Sequence, residues 1–292
     1  MTKASTILAL AAAAAMTAGA VQTGAAQSQM NEVAPKAEVV PRGEVTFRPL
    51  NPLRGDASPK AGVLWGDLTK LVPTGAIIEF AEGFSSPPHI HNITYRAVVI
   101  SGAVHNDDPA AEMLWMGPGS FWTQPAGEPH ITAAAPGAKA TAFLEILEGP
   151  YLVQPTGEAF DNGERPLNME ARNIVWLDAD DVTWIEQPEA GKAGVRMAFL
   201  WGSPLNGQKN GSFVRLPAGF RGELRGNGAQ LRAVVIQGEV AHSLAGDGEA
   251  TRLPPGSYLG SAGGTTHRLS CAAGADCILY VNTEGKYEVA GS

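Results

Sequence analysis

Two stretches of this chain repeat one another. Tyr95-Arg-Ala-Val-Val-Ile-Ser-Gly102 recurs as Leu231-Arg-Ala-Val-Val-Ile-Gln-Gly238, and at the same offset Leu64-Trp65-Gly66 recurs as Leu200-Trp201-Gly202. Further on, Gly119 matches Gly256 and His130 matches His267, while Glu148-Gly149-Pro150-Tyr151 is echoed by Glu284-Gly285-Lys286-Tyr287. Matches that stay collinear over so long a stretch mean two copies of one unit, so whatever the first copy folds into the second must be able to build as well. A chain of 292 residues is long enough for two such cores.

The unit reads as β-structure. Ala97–Ile100, Ala233–Ile236 and Ala142–Leu147 are rich in strand-forming residues and bounded by turn formers. Turn signals at Gly83, Asn106–Pro109, Gly117–Gly119, Ala126–Gly127 and Pro136–Gly137 recur with the rhythm of a sandwich or jelly roll. Plentiful glycine (35) and proline (21), with charged residues at only 17%, favour short strands and tight turns over long helices. The expectation is an all-β chain of two tandem barrels, at 38–155 and 168–289, joined by a linker at 156–167 that holds Gly157, Asn162 and Gly163.

Chemistry concentrates in the first copy. Gly83 is followed after five residues by His89, then His91, then Tyr95 after three more and Gly102 after six. Gly119 is followed after five residues by Pro125-Ala126-Gly127 and, two residues on, His130. Residues i and i+2 of a strand share a face, so His89 and His91 project together. A third histidine on a strand entered through the Pro125–Gly127 turn can complete a facial set with open positions beside it.

These spacings resemble the two-part signature of the cupin superfamily, and the whole chain resembles an uncharacterised bacterial group of two-domain cupins. The resemblance implies that each copy is a jelly-roll-like double-stranded β-helix. It also implies that His89, His91 and His130 hold one divalent metal, with iron first and manganese, zinc, nickel or copper as alternatives. A homodimer is expected by the same analogy.

One position departs from the pattern: Tyr95 stands where the family has glutamate. With the parity of the two histidines it faces the interior, either ligating as phenolate to a strongly acidifying metal or hydrogen-bonding to bound water or substrate. Three neutral imidazoles leave the charge of a dication uncompensated, which suits an anionic substrate or hydroxide. Glu145, in the apolar run Phe143-Leu-Glu-Ile-Leu147, is a second candidate: a ligand or general base if it points inward, a solvated edge residue if it does not. Trp122 and Gln124 flank the second motif and either line a pocket or pack in the core. His105 sits in a polar loop and is expected to be exposed.

The second copy lacks this set. Arg225, Asn227 and Leu231 stand where the first has His89, His91 and Tyr95, and only His267 remains, so a metal-free barrel is expected there. Arg225 either pairs with an anion inside that barrel or lies on the surface.

The first 27 residues form a separate unit. Lys3, the apolar run Ile7–Met16 and the small residues Ala18-Gly19-Ala20 and Gly24-Ala25-Ala26 read as a secretory signal peptide, giving a periplasmic or secreted protein with no membrane span in its mature form. Export makes a Cys271–Cys277 disulfide feasible if the hairpin brings the two together. A net charge of −8 and a pI near 5.3, with no cluster of lysine or arginine, exclude a nucleic-acid partner and leave a small-molecule one. Three functions stay open. The first is a metal-dependent oxygenase acting on a small anionic or chelating organic substrate, with Tyr95 and Glu145 as catalytic residues. The second is a non-catalytic small-molecule or metal binding or sensing protein, and the third a metal-dependent isomerase or lyase.

Overall fold

The repeat is reproduced in two matching large sheets. In the computed structural model, which describes residues 37–178, 181–182, 194–244 and 246–291, two seven-stranded antiparallel sheets have matching orders. The first runs Leu167–Met169, Phe121–Gln124, Tyr95–Ser101, Ala140–Ile146, Thr74–Phe80, Lys60–Trp65, Phe47–Pro49. The second runs Glu38–Val40, Tyr258–Ala262, Gln230–Gln237, Cys277–Glu284, Lys209–Leu216, Arg196–Gly202, Leu177–Asp178. Shorter strands close each barrel. The first uses Val104–Asp107 with Ile131–Ala134 and Ile90–His91 with Val153–Gln154, while the second uses a five-stranded sheet built around Thr266–Cys271.

The strands were legible as unbroken apolar runs because both faces of the large sheets are covered. Along Tyr95–Ser101, Tyr95, Ala97 and Val99 turn into the first barrel beside Ile78, Trp122 and Leu144. The alternate residues Val98 and Ile100 turn outward and pack in one cluster with Val234, Ile236 and Phe213 of the second copy. Period-two alternation therefore separates two cores rather than core from water. Close approach demands glycine at one repeated position: a Cβ on Gly75 would strike the Trp65 ring, and one on Gly211 the Trp201 ring.

Sheet membership cuts across the boundaries expected at 38–155 and 168–289. Glu38–Val40, at the start of the first copy, pairs with the second copy's Tyr258–Ala262, Val39 lying opposite Leu259. Leu167–Met169, at the end of the linker, pairs with the first copy's Phe121–Gln124, Asn168 lying opposite Trp122. Each exchanged arm is pinned by the equivalent serine: Ser120 Oγ accepts from the Ala171 amide at 3.0 Å and Ser257 Oγ from the Arg42 amide at 2.9 Å. Three-residue strands carry no periodic signal, so the exchange had no signature in the sequence.

Cys271 and Cys277 form a disulfide, with Cα atoms 5.9 Å apart. The leader expected at 1–27 lies outside the described residues. Among the described residues no helix is long and apolar enough to cross a membrane.

Candidate metal centre

Two short strands and one backbone bridge bring the three histidines together. His91 ends the strand Ile90–His91, and His89 is joined to His130 by reciprocal backbone hydrogen bonds of 3.0 Å. The ring centroids lie 4.9 Å apart for His89 and His91, 4.3 Å for His89 and His130, and 5.2 Å for His91 and His130. One nitrogen from each ring lies within 4.8 Å of the other two, so a common ion is within reach of all three.

The second nitrogen of each ring decides the tautomer. His89 Nδ1 faces the Pro87 carbonyl at 2.9 Å, His91 Nδ1 the Leu152 carbonyl at 2.9 Å, and His130 Nδ1 the Glu128 carbonyl at 3.1 Å. A carbonyl can only accept, so each Nδ1 carries the proton and each Nε2 keeps its lone pair. Carbonyl-oriented imidazoles of this kind are how proteins hold metal-ligating histidines. Burial keeps the rings neutral as well. It holds His89 below the ordinary imidazole range and His91 well below it, and it takes His130 down to about 3, with the neighbouring histidines adding to the effect at His91 and His130.

One atom tests whether this arrangement suits a metal. His130 Nε2 is buried and has no hydrogen-bond partner, one of a few such side-chain atoms among the described residues. A cation bound to the three Nε2 atoms would satisfy it. The donor set, three neutral imidazoles with adjoining space, suits a first-row divalent ion.

Tyr95 faces the interior, as its parity required. Its ring meets His91 edge-on at 5.2 Å, but its hydroxyl donates to Asn106 Oδ1 at 2.8 Å, and burial pushes the phenol up to about 12. Asn106 also accepts from Thr132 Oγ1 and donates to Gln124 Oε1, and Gln124 donates on to the Glu128 carbonyl that holds His130. Tyr95 thus belongs to a buried polar network beside the histidines. Gln124 is a member of that network, and Trp122 packs in the first core while lining the cavity described below.

Glu145 does not join the site. Register places it opposite Arg96 and Gly75, on the face of its strand away from Tyr95, Leu144 and Ile146, so it sits between the barrels. There its carboxylate accepts from Tyr280 Oη and Asn282 Nδ2, both at 2.6 Å, and Tyr280 Oη accepts in turn from Trp201 Nε1 at 2.8 Å. Arg96 lies over Trp201 and Arg232 over Trp65, so two guanidiniums flank the carboxylate from either copy. The expectation that Glu145 serves as ligand or base is therefore corrected to one of joining the two copies. His105 is corrected too: it is buried, with Nδ1 3.2 Å from the Leu114 amide.

The residue that sequence reasoning missed is Tyr151. Its ring stacks on His91 at 4.4 Å, and its hydroxyl donates to His91 Nε2 at 3.2 Å, the lone pair that points toward the shared centre. Asn92 holds it there, donating to the Pro150 carbonyl and accepting from the Leu152 amide, both at 2.9 Å. The one available signal was its place in the repeated Glu-Gly-x-Tyr segment. A cavity of about 660 Å³ opens on this group, with His89, His91, Tyr95 and Tyr151 among its lining residues.

The second barrel offers no equivalent among the described residues. His267 is buried and spends both nitrogens on protein partners, His242 Nε2 and Ser261 Oγ, each at 2.9 Å. Leu231 packs in the apolar core, and Arg225 lies half-exposed beside Glu288 at 3.6 Å.

A family model described as a domain of unknown function (DUF4437) matches residues 38–290. No curated protein matches the chain. Among solved structures, the chain is similar to a candidate dioxygenase from Nostoc punctiforme at 14% identity and a TM-score of 0.63, covering 86% of this chain and 84% of that one. A salicylate 1,2-dioxygenase from Pseudaminobacter salicylatoxidans aligns at 12% identity and 0.53, over 85% and 86% of the two chains. The oxalate decarboxylase of Bacillus subtilis, with Mn(II) centres, aligns at 13% and 0.51, over 87% and 78%. At such identities the likeness shows the fold, which is that of a two-barrel cupin.

Proposed function

The chain belongs to the family described as a domain of unknown function (DUF4437), and from that premise we propose that it is a metal-dependent enzyme of oxygenase type, acting on a small anionic or chelating organic substrate. The observation that carries this reading is the convergence of His89, His91 and His130, each with Nδ1 given to a backbone carbonyl, around the unpartnered Nε2 of His130. Similarity of fold to structures named as dioxygenases supports it. A bound iron or manganese would supply Lewis acidity toward a chelating oxygen donor and one-electron chemistry toward dioxygen. The chain's own contributions are separate from that chemistry: three neutral imidazoles that leave the ion's charge for an anion, the Tyr151 hydroxyl beside it, and a largely apolar cavity that opens on the same group.

Export is part of the same proposal, supported by the disulfide, which persists in oxidising compartments. Elemental analysis of protein isolated from a periplasmic extract tests the reading. One equivalent of iron or manganese per chain, lost in His89→Ala, and oxygen uptake with diketones, flavonols or thiols are the expected results. Less than about a tenth of an equivalent of any transition metal would move the assignment to a non-catalytic binding module.

A further inference from the structure

The cavity beside the histidines carries more than a place for a metal. At about 660 Å³ it falls in the range of sites that hold drug-sized molecules, roughly 300–1,000 Å³, and is far larger than a two-carbon acid requires. Its walls are apolar, with Ile78, Phe80, Phe84, Trp122, Ala142 and Leu144 supplied by the strands and loops of the first barrel. Among the described residues that line it there is no carboxylate, and Arg54 is its one charged side chain. A small polar acid held here would leave this surface against trapped water, whereas a hydrocarbon body would cover it.

We propose that the site takes an organic acid or enol with a bulky apolar body, its oxygen donors at the histidines and its hydrocarbon part along Phe80, Phe84 and Leu144, rather than a short dicarboxylate or hydroxy acid. The placement of the oxygen donors rests on the metal reading above. The placement of the body does not, because it follows from the cavity walls alone. Absence of acidic side chains favours the anion throughout.

The test is a homologous series of straight-chain carboxylates, from acetate to decanoate, with oxalate alongside, titrated by calorimetry into the metal-loaded full chain. Affinity should rise about fourfold per methylene until the cavity is filled, then level off, with oxalate and acetate the weakest. In Leu144→Phe and in the milder Ala142→Val the plateau should arrive at a shorter chain while metal content stays at one equivalent. Flat affinity along the series, or tightest binding for oxalate, would overturn the substrate class and leave the metal assignment standing. An unchanged plateau in both variants would overturn the placement of the body. Failure to load any metal defeats the reading in the previous section instead, and the same series on the metal-free chain then decides the class, a rise with length sustaining it and a flat response refuting it.

Discussion

Replacing Glu145 by alanine separates a structural role for this carboxylate from a catalytic one. The substitution removes the acceptor of two buried donors, Tyr280 Oη and Asn282 Nδ2. Each buried donor left unsatisfied costs about 1–3 kcal/mol. Part of that is returned, because burial raises the Glu145 carboxyl above its ordinary 4.5 despite the hydrogen bonds and the Arg232 and Arg96 charges that oppose the shift, so the ionised group is itself under strain. The net expectation is a loss of about 2–4 kcal/mol, a fall in Tm of roughly 5–15 °C for a chain of this size. Urea and thermal denaturation followed by tryptophan fluorescence would measure it, with metal content determined in parallel. Glu145→Gln, which keeps one acceptor, should cost less. The pH dependence has a definite sign: a carboxyl raised above 4.5 contributes its stability fully below that value and loses it as pH rises through the folded-state value, so the gap between parent and Glu145→Gln narrows with increasing pH. Full stability in Glu145→Ala, or loss of metal without loss of stability, would refute this placement.

Tyr151→Phe should tighten metal binding about fivefold in a chelator competition, since the metal-free chain then loses a hydrogen bond of about 1 kcal/mol to His91 Nε2 while all three ligands remain; weaker binding would show that the hydroxyl holds the ion instead. Joint replacement of Cys271 and Cys277 by serine should lower unfolding stability by about 2 kcal/mol, the value for so short a closed loop, and leave metal content unchanged. His130→Gln should abolish stoichiometric metal uptake yet fold normally, because it removes a buried ring nitrogen that the parent leaves unpaired; a normal metal content in this variant would place the ion elsewhere.

What could be read from residues alone was whatever repeats or alternates. Tyr95-Arg-Ala-Val-Val-Ile and its copy gave the matched central strands, and i, i+2 spacing gave the shared face of His89 and His91. Glu145 escaped because parity names two faces without saying which is inward, and in this fold both are buried, so a carboxylate in an apolar run has two dry destinations. A comparison with its counterpart Asn282, also polar and likewise paired with the repeated arginine, would have hinted at a contact between copies. Tyr151 escaped for a different reason. It reaches His91 only because the amide of Asn92 clamps the segment around Pro150 and Leu152, a tertiary contact with no local pattern. His105 looked solvated because its neighbours in sequence are polar, but strand pairing with Ile131–Ala134 carries it inside.

The traded arms also tie the half that holds the three histidines to the other copy. A fragment ending at 155 would keep all three histidines and yet present the bare rim of Phe121–Gln124 to solvent, a ready template for wrong partners. A fragment starting at 168 would lack Glu38–Val40 along Tyr258–Ala262. Neither half is a finished object: each large sheet is completed by an arm from the other copy, so the half that carries the three histidines cannot be cut free without opening an edge.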